Sequence, residues 1–206
     1  SARQILLDDE LINSLNMEEY ADNAYRQTIA ETPVLQSDSA KERRRREISY
    51  LNIRWFMATL LDRMDRTSMY NGLEARVPFA DHRIVEYVFN VPWDMKCAGG
   101  VTKGLLRHAA AGLLPDNVLW RKKSPYPKTY DPYYEKMLAG KLREVISDTA
   151  SPIRTLLDIA KVNRFIEAPS DYGRPWYGQL MAGPQMLAYM LQVNYWLSEY
   201  NISIEY

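Results

Sequence analysis

The residues able to do chemistry fall into two clusters, and both are built from charge rather than from nucleophiles. The first gathers Asp62, Arg63, Asp65 and Arg66, then Glu74, Arg76 and Asp81. Charges this dense beside the apolar Leu60, Leu61 and Met64 cannot all face water, so a partly buried ion-pair network is expected. Such a network can support a substrate cleft, or it can do no more than fix a helix-loop-helix corner. The second cluster is cationic: Lys103, then Arg121, Lys122, Lys123 and Lys128. Fixed ammonium groups beside a helix start suit a polyphosphate, or a transition state that gathers negative charge. An ordinary basic surface loop has the same composition, and the residues alone favour that plainer reading.

Other chemistries find little support. Neither Ser-x-x-Lys nor Gly-x-Ser-x-Gly occurs, and there is no Gly-rich phosphate loop of the Walker or dinucleotide kind. Cys97, the only cysteine, has no histidine near it in sequence and reads as an idle or buried thiol. A single cysteine forbids an intrachain disulfide and fits a reducing cytoplasm. With only His82 and His108, no metal site is expected. Lys+Arg and Asp+Glu both number 26, so nothing draws the chain as a whole toward nucleic acid or an anionic membrane. No apolar run approaches the roughly 18–20 residues that span a bilayer. The 15 Tyr and 5 Trp, against 4 Phe, suit half-wet surfaces such as an interface or cleft, or else a Tyr-rich helical core.

Helices must position these residues, because period-2 patterning is nearly absent and the expected fold class is mainly α. Residues 8–30 read as one or two amphipathic helices and 32–39 as a loop. A long helix is predicted from about Ala40 to Met69, with Ile48, Leu51, Trp55, Met57, Leu60, Leu61 and Met64 at its apolar positions. The run Arg43–Arg46 near its start splays around the axis between flanking acids. A solvated helix start, or a contact to another part of the protein, is therefore expected rather than a nucleic-acid patch. Gly72 supplies the helix exit, Pro78 holds Val77 extended, and Asp81 caps a helix to about Phe89. Ile84, Val85 and Val88 should form the inner face of that helix. Thr102 is the expected N-cap of a helix over Lys103–Ala111, and three prolines rule out regular structure in 121–132. Further helices are predicted over 133–148, 152–157 and 159–167, followed by a loop over Pro169–Gly173. A last helix runs from Gly183-Pro184 to about Tyr200, with Leu187, Met190, Leu191, Trp196 and Leu197 inward.

The segment Leu73-Glu74-Ala75-Arg76-Val77-Pro78-Phe79-Ala80-Asp81 resembles the L-E-x-R-V-P-F-x-D signature of the glutamine-hydrolysing asparagine synthetase family. Leu61–Met69 is similar to the segment that introduces that signature, and Thr102–Arg107 resembles the family's K-x-x-L-R helix. Leu114-Pro115 with Trp120-Arg121-Lys122-Lys123 resembles its L-P…R-x-K segment, and Met186–Leu197 fits its last helix. Residues 1–45 match weakly, as a helical lead-in to a family core over 46–200. The resemblance implies the helical C-terminal portion of an α/β ATP-pyrophosphatase-like (adenine nucleotide alpha hydrolase-like) synthetase domain. It implies chemistry in which ATP adenylates the aspartate side chain, pyrophosphate leaves, and ammonia derived from glutamine displaces AMP. In that setting Lys123 matches the catalytic lysine that stabilises developing charge, and Lys103 a lysine directed at the ATP phosphates or pyrophosphate. Asp65, Arg66, Glu74, Arg76 and Asp81 would support the cleft, and ATP with Mg2+ would serve the full-length enzyme.

The family's S-G-G-x-D-S loop, its G-x-G-x-D-E segment and its N-terminal cysteine nucleophile do not occur in this chain, which starts at Ser1. The expectation is therefore a truncated chain whose parallel sheet, ATP loop and glutaminase region lie upstream. Alone, it would be inactive and hold no cofactor. A domain parted from its sheet exposes apolar surface, so self-association as a homodimer is open to it. Two other readings remain: a relative that forms a different amide, such as a β-lactam synthetase, and a non-catalytic helical interaction module.

Overall fold

The computed structural model describes residues 4–124, 131–167 and 183–204. The expected loop at Pro169–Gly173, and Lys128 with residues 125–130 of the Pro-rich segment, lie outside the described residues. Within them the fold is mainly helical and carries no strand, only isolated bridges at Leu7–Leu157 and Ala111–Leu114. No described helix is long and apolar enough to cross a membrane.

In chain order, a 3-10 turn at Gln4–Leu6 precedes α1 (Asp9–Ser14) and α2 (Met17–Ala30). Next, α3 (Ala40–Leu51), a π-helical turn (Asn52–Met57) and α4 (Ala58–Tyr70) run on without a break. Four short helices follow: α5 (His82–Asn90), α6 (Trp93–Lys96), α7 (Gly104–Ala109) and α8 (Asp116–Leu119). Then come α9 (Pro132–Ser147), a 3-10 turn at Pro152–Thr155, α10 (Ile159–Glu167) and α11 (Gly183–Glu199). The chain divides into two compact units, one of residues 1–19 with 126–206 and the other of residues 20–125.

The first unit has a core. Asp131 caps α9 by accepting from the Tyr133 N–H at 2.9 Å, with Pro132 in the first turn, where its missing N–H costs nothing. Leu138, Ala139, Leu142 and Ile146 then recur at helical spacing and pack with Val162 and Ile166 of α10 and Met186, Leu187, Met190 and Leu197 of α11. Leu191 is only partly buried beside that core, and Trp196 is 51% exposed, so the inner face of α11 is Met186–Leu187–Met190–Leu197. The N-terminal segment is tied to α10: the Asp158 N–H donates to the Leu6 carbonyl at 3.1 Å, and Lys161 reaches Asp9 at 2.5 Å.

The second unit is built from capped helices with little enclosed between them. Ser39 and Glu42 form a reciprocal capping box at the start of α3. The single helix expected over 40–69 contains the six-residue π turn, where the Ala58 N–H donates to the Ile53 carbonyl five residues back. Within that turn the Trp55 indole N–H donates to Thr28 Oγ1 on α2 at 3.0 Å. The wider turn rotates the face of α4 relative to α3, which a regular helical period does not anticipate. At the exit of α4 the Leu73 N–H donates to the Ser68 carbonyl and the Gly72 N–H to that of Met69, a Schellman closure with Gly72 at φ +70°. Asp81 caps α5 as expected, but Ile84 is exposed and the half-buried face is Val85, Val88 and Phe89. Thr102 does not cap α7. Lys103 stands in that place with a left-handed backbone, φ +61° and ψ +32°, and α7 spans six residues rather than nine.

Candidate functional site

Around the first loop the expected buried network is absent from the described residues. Arg66 Nε pairs with Asp62 at 2.8 Å, and their side chains are 78% and 60% exposed. Arg76 Nε pairs with Glu74 at 3.0 Å, again in solvent. Asp81 accepts from the Arg83 side chain at 2.7 Å and from the Arg83 N–H at 2.9 Å. These are three separate local pairs two or four residues apart, and pairs of that kind stay wet because both partners sit on one surface. Asp65 is exposed on α4. Beside them lies an open apolar trough of about 500 Å³, lined by Leu60, Leu61, Met64, Val77 and Phe79. Of the local charges it is Arg63 that lines the trough; Asp65, Arg66, Glu74, Arg76 and Asp81 are outside its lining.

The ion pair that is enclosed lies elsewhere, on the arginine run read as a solvated helix start. Arg46 Nε meets Asp38 at 2.8 Å with side-chain exposures of 13% and 7%, donates to Asn90 Oδ1 at 3.2 Å, and sits over the Phe89 ring. Arg45 lies over the Trp93 ring at 5.4 Å. Arg44 reaches Glu47 and Tyr25 in solvent. The run does splay, as helix geometry demands, but two of its members turn inward onto α5 and α6. Lys96 joins them at a pocket of about 210 Å³, where burial, with Arg46 nearby, pushes its ammonium below the ordinary lysine value. The four-residue α6, too short to show an apolar period, and partners 44 to 49 residues away from the arginines kept this cluster from showing in the sequence.

The second, cationic cluster is assembled by a side chain that sequence reasoning quoted but gave no role. Arg107, on α7, donates through Nε to the Thr102 carbonyl at 3.0 Å and through Nη2 to the Arg121 carbonyl at 3.4 Å. Its Nη1 donates to the Leu119 carbonyl, and its guanidinium lies 5.6 Å from the Trp120 ring centroid. The backbone just before Lys103 and the backbone just before Lys122-Lys123 therefore meet on one guanidinium. Lys103 and Lys123 are both exposed, and neither ammonium has a carboxylate partner among the described residues. Gly104 makes the turn possible: a Cβ there would stand 2.6 Å from the Ala98 backbone nitrogen. A surface with several cations and few acids can hold a polyanion. With α7 only six residues long, the ammonium groups rather than a helix dipole would do the holding.

Residues 1–198 match the family model described as asparagine synthase. Asparagine synthetase [glutamine-hydrolyzing] 3 of Bacillus subtilis is 47% identical over 201 residues, 97% of this chain and 33% of that protein. Asparagine synthetase [glutamine-hydrolyzing] 1 of the same organism is 28% identical over 142 residues, 68% of this chain and 22% of that protein. The asparagine synthetase of Mus musculus is 45% identical over 67 residues, 31% of this chain and 12% of that protein. The chain thus spans a third or less of the length of these curated relatives.

Proposed function

The chain belongs to the asparagine synthase family, and from that premise we propose that it is the helical C-terminal part of the synthetase domain of a glutamine-hydrolysing asparagine synthetase. In the whole enzyme an α/β ATP-pyrophosphatase-like portion, with its parallel sheet and phosphate loop, would supply the nucleotide pocket, and a glutaminase region would supply ammonia. An oxygen of the aspartate side-chain carboxylate attacks the α-phosphorus of ATP and pyrophosphate leaves. Ammonia then attacks the acyl carbon, AMP departs, and the amide nitrogen loses a proton. Lys103 holds the phosphates or the departing pyrophosphate; Lys123 offsets the negative charge that develops at the reacting centre. Asp65, Arg66, Glu74, Arg76 and Asp81 support the corner that borders the cleft.

The observation that carries this reading is the pair of exposed ammonium groups, Lys103 and Lys123, free of carboxylate partners among the described residues and held by adjoining backbone. Charge-neutralised lysines would have little left to offer a phosphate. Mg2+ does not fit these groups, because ammonium and guanidinium offer no lone pair to a cation. Among the described residues no group of three or more His, Cys, Asp or Glu is gathered as a metal site.

The test is Lys123→Ala in the full-length enzyme. Asparagine formation is expected to fall by roughly 100-fold or more while glutamine hydrolysis persists. Unchanged synthesis would leave the helical interaction module as the better account. Assays with aspartate, ATP and ammonia separate asparagine synthesis from formation of another amide, as by a β-lactam synthetase.

A further inference from the structure

We propose that Arg107 is a positioning residue that sets Lys103 and Lys123 relative to each other, an inference that rests on the reading of those lysines given above. Lys103 is tied to α7 at its N-cap, and Lys123 lies in a stretch with no helix or strand of its own. Lys123 follows α8 in a stretch without regular structure. Lys103 sits at a left-handed turn, where a lysine has no local reason to stay. Something else must fix both, and the contacts converge on one side chain.

The Arg107 backbone N–H donates to the Lys103 carbonyl at 3.0 Å, and its Nε to the Thr102 carbonyl at 3.0 Å. The first is the opening helical bond of α7, independent of the side chain; the second belongs to the guanidinium and fixes the carbonyl just before Lys103. The same guanidinium then reaches the carbonyls of Leu119 and Arg121, on either side of Trp120, and lies over the Trp120 ring. A planar group with five N–H donors in a fixed fork can serve three carbonyls from two chain segments at once; an ammonium of similar reach cannot hold that geometry. The Nε, Nη1 and Nη2 of Arg107 are all turned to backbone carbonyls. Arg107 acts through the backbone that carries the two cations, and a displacement of about 1 Å at a reacting group can cost roughly 100-fold in rate.

The experiment is a double-mutant cycle in the full-length enzyme, with Arg107→Ala, Lys123→Ala and the pair, reading asparagine formation and glutamine hydrolysis side by side. Arg107→Ala is expected to lower the synthetase kcat by about 10- to 100-fold with glutamine hydrolysis retained. The pair should be no slower than Lys123→Ala alone, because a misplaced lysine and a missing one fail at the same step. Arg107→Lys should fall between wild type and Arg107→Ala, and it carries the same comparison if the alanine variant does not fold. Losses that multiply in the pair, or synthesis unchanged in Arg107→Ala, would overturn the positioning role while leaving Lys123 in place. Synthesis unchanged in Lys123→Ala would overturn the reading of the site itself, and this inference with it.

Discussion

Lys103 occupies a backbone conformation, φ +61°, that a lysine takes at a cost of about 1–2 kcal/mol. Among the described residues the other non-glycine positions of this kind are Asn16 and Asn201, a residue type whose short amide tolerates it. Glycine at position 103 would relieve that strain, so Lys103→Gly separates the two things the residue can supply. If only the turn matters, the variant keeps its activity and gains stability. If the ammonium matters, stability holds or rises by up to roughly 1 kcal/mol while KM for ATP increases and synthesis falls. The second outcome is expected, read from thermal midpoints and initial rates of the full-length enzyme. The same residue shows where sequence stops informing. Thr102 has the chemistry of an N-cap, and nothing in Thr-Lys-Gly announces that the chain turns left-handed one residue later. That turn is set by Gly104 packed against Ala98 and by Arg107 bonded to Thr102, contacts five or six residues apart that follow no standard capping pattern.

Elements with a local code were legible; elements without one were not. The spans of α9, α10 and α11 follow from apolar spacing, prolines and caps that lie within a few residues of one another. The helices α6 and α8, four residues each, are too short to show a period, and the π turn inside the long helix leaves none of the punctuation a proline or glycine would. For α5 the cap itself yields a prediction. The Arg83 side chain, and then its backbone N–H, hold the Asp81 carboxyl down to about 2 from its ordinary 3.8. A carboxylate with a lowered folded-state pKa adds stability that is present above about pH 3.8 and is lost as pH falls toward about 2. Asp81→Asn keeps an acceptor for the Arg83 N–H but cannot titrate. Its midpoint should lie below wild type at neutral pH, and the gap should close as pH falls through that window. A gap constant with pH would mean that Asp81 caps α5 without its charge.

At the scale of the whole molecule the two units differ in what they bury. Leu142, Ile153, Val162 and Leu187 are fully enclosed in the unit built on α9–α11. In residues 20–124, Leu119 is the apolar side chain of any size that is buried, while Trp55, Phe56, Leu73 and Phe79 are each more than half exposed. The apolar stripe read along 48–64 is therefore real as a pattern and absent as a core. Periodicity reports which face of a helix favours burial, and it is silent on whether the covering partner is in the same chain. Many tyrosines behave alike: Tyr20, Tyr70, Tyr87 and Tyr200 all stand in solvent. A unit that encloses so little opens locally at low free-energy cost, since apolar burial is what offsets the entropy of ordering. Amide exchange of the isolated chain should show α9, α10 and α11 protected, and α4 with residues 73–80 exchanging far faster. In the full-length enzyme, where we place the sheet and phosphate loop against this unit, α4 and 73–80 should gain protection of about 100-fold or more. Equal exchange in both settings would mean that the trough between Leu60 and Phe79 stays uncovered in the enzyme, and the exposed stripe would then need a partner from outside it.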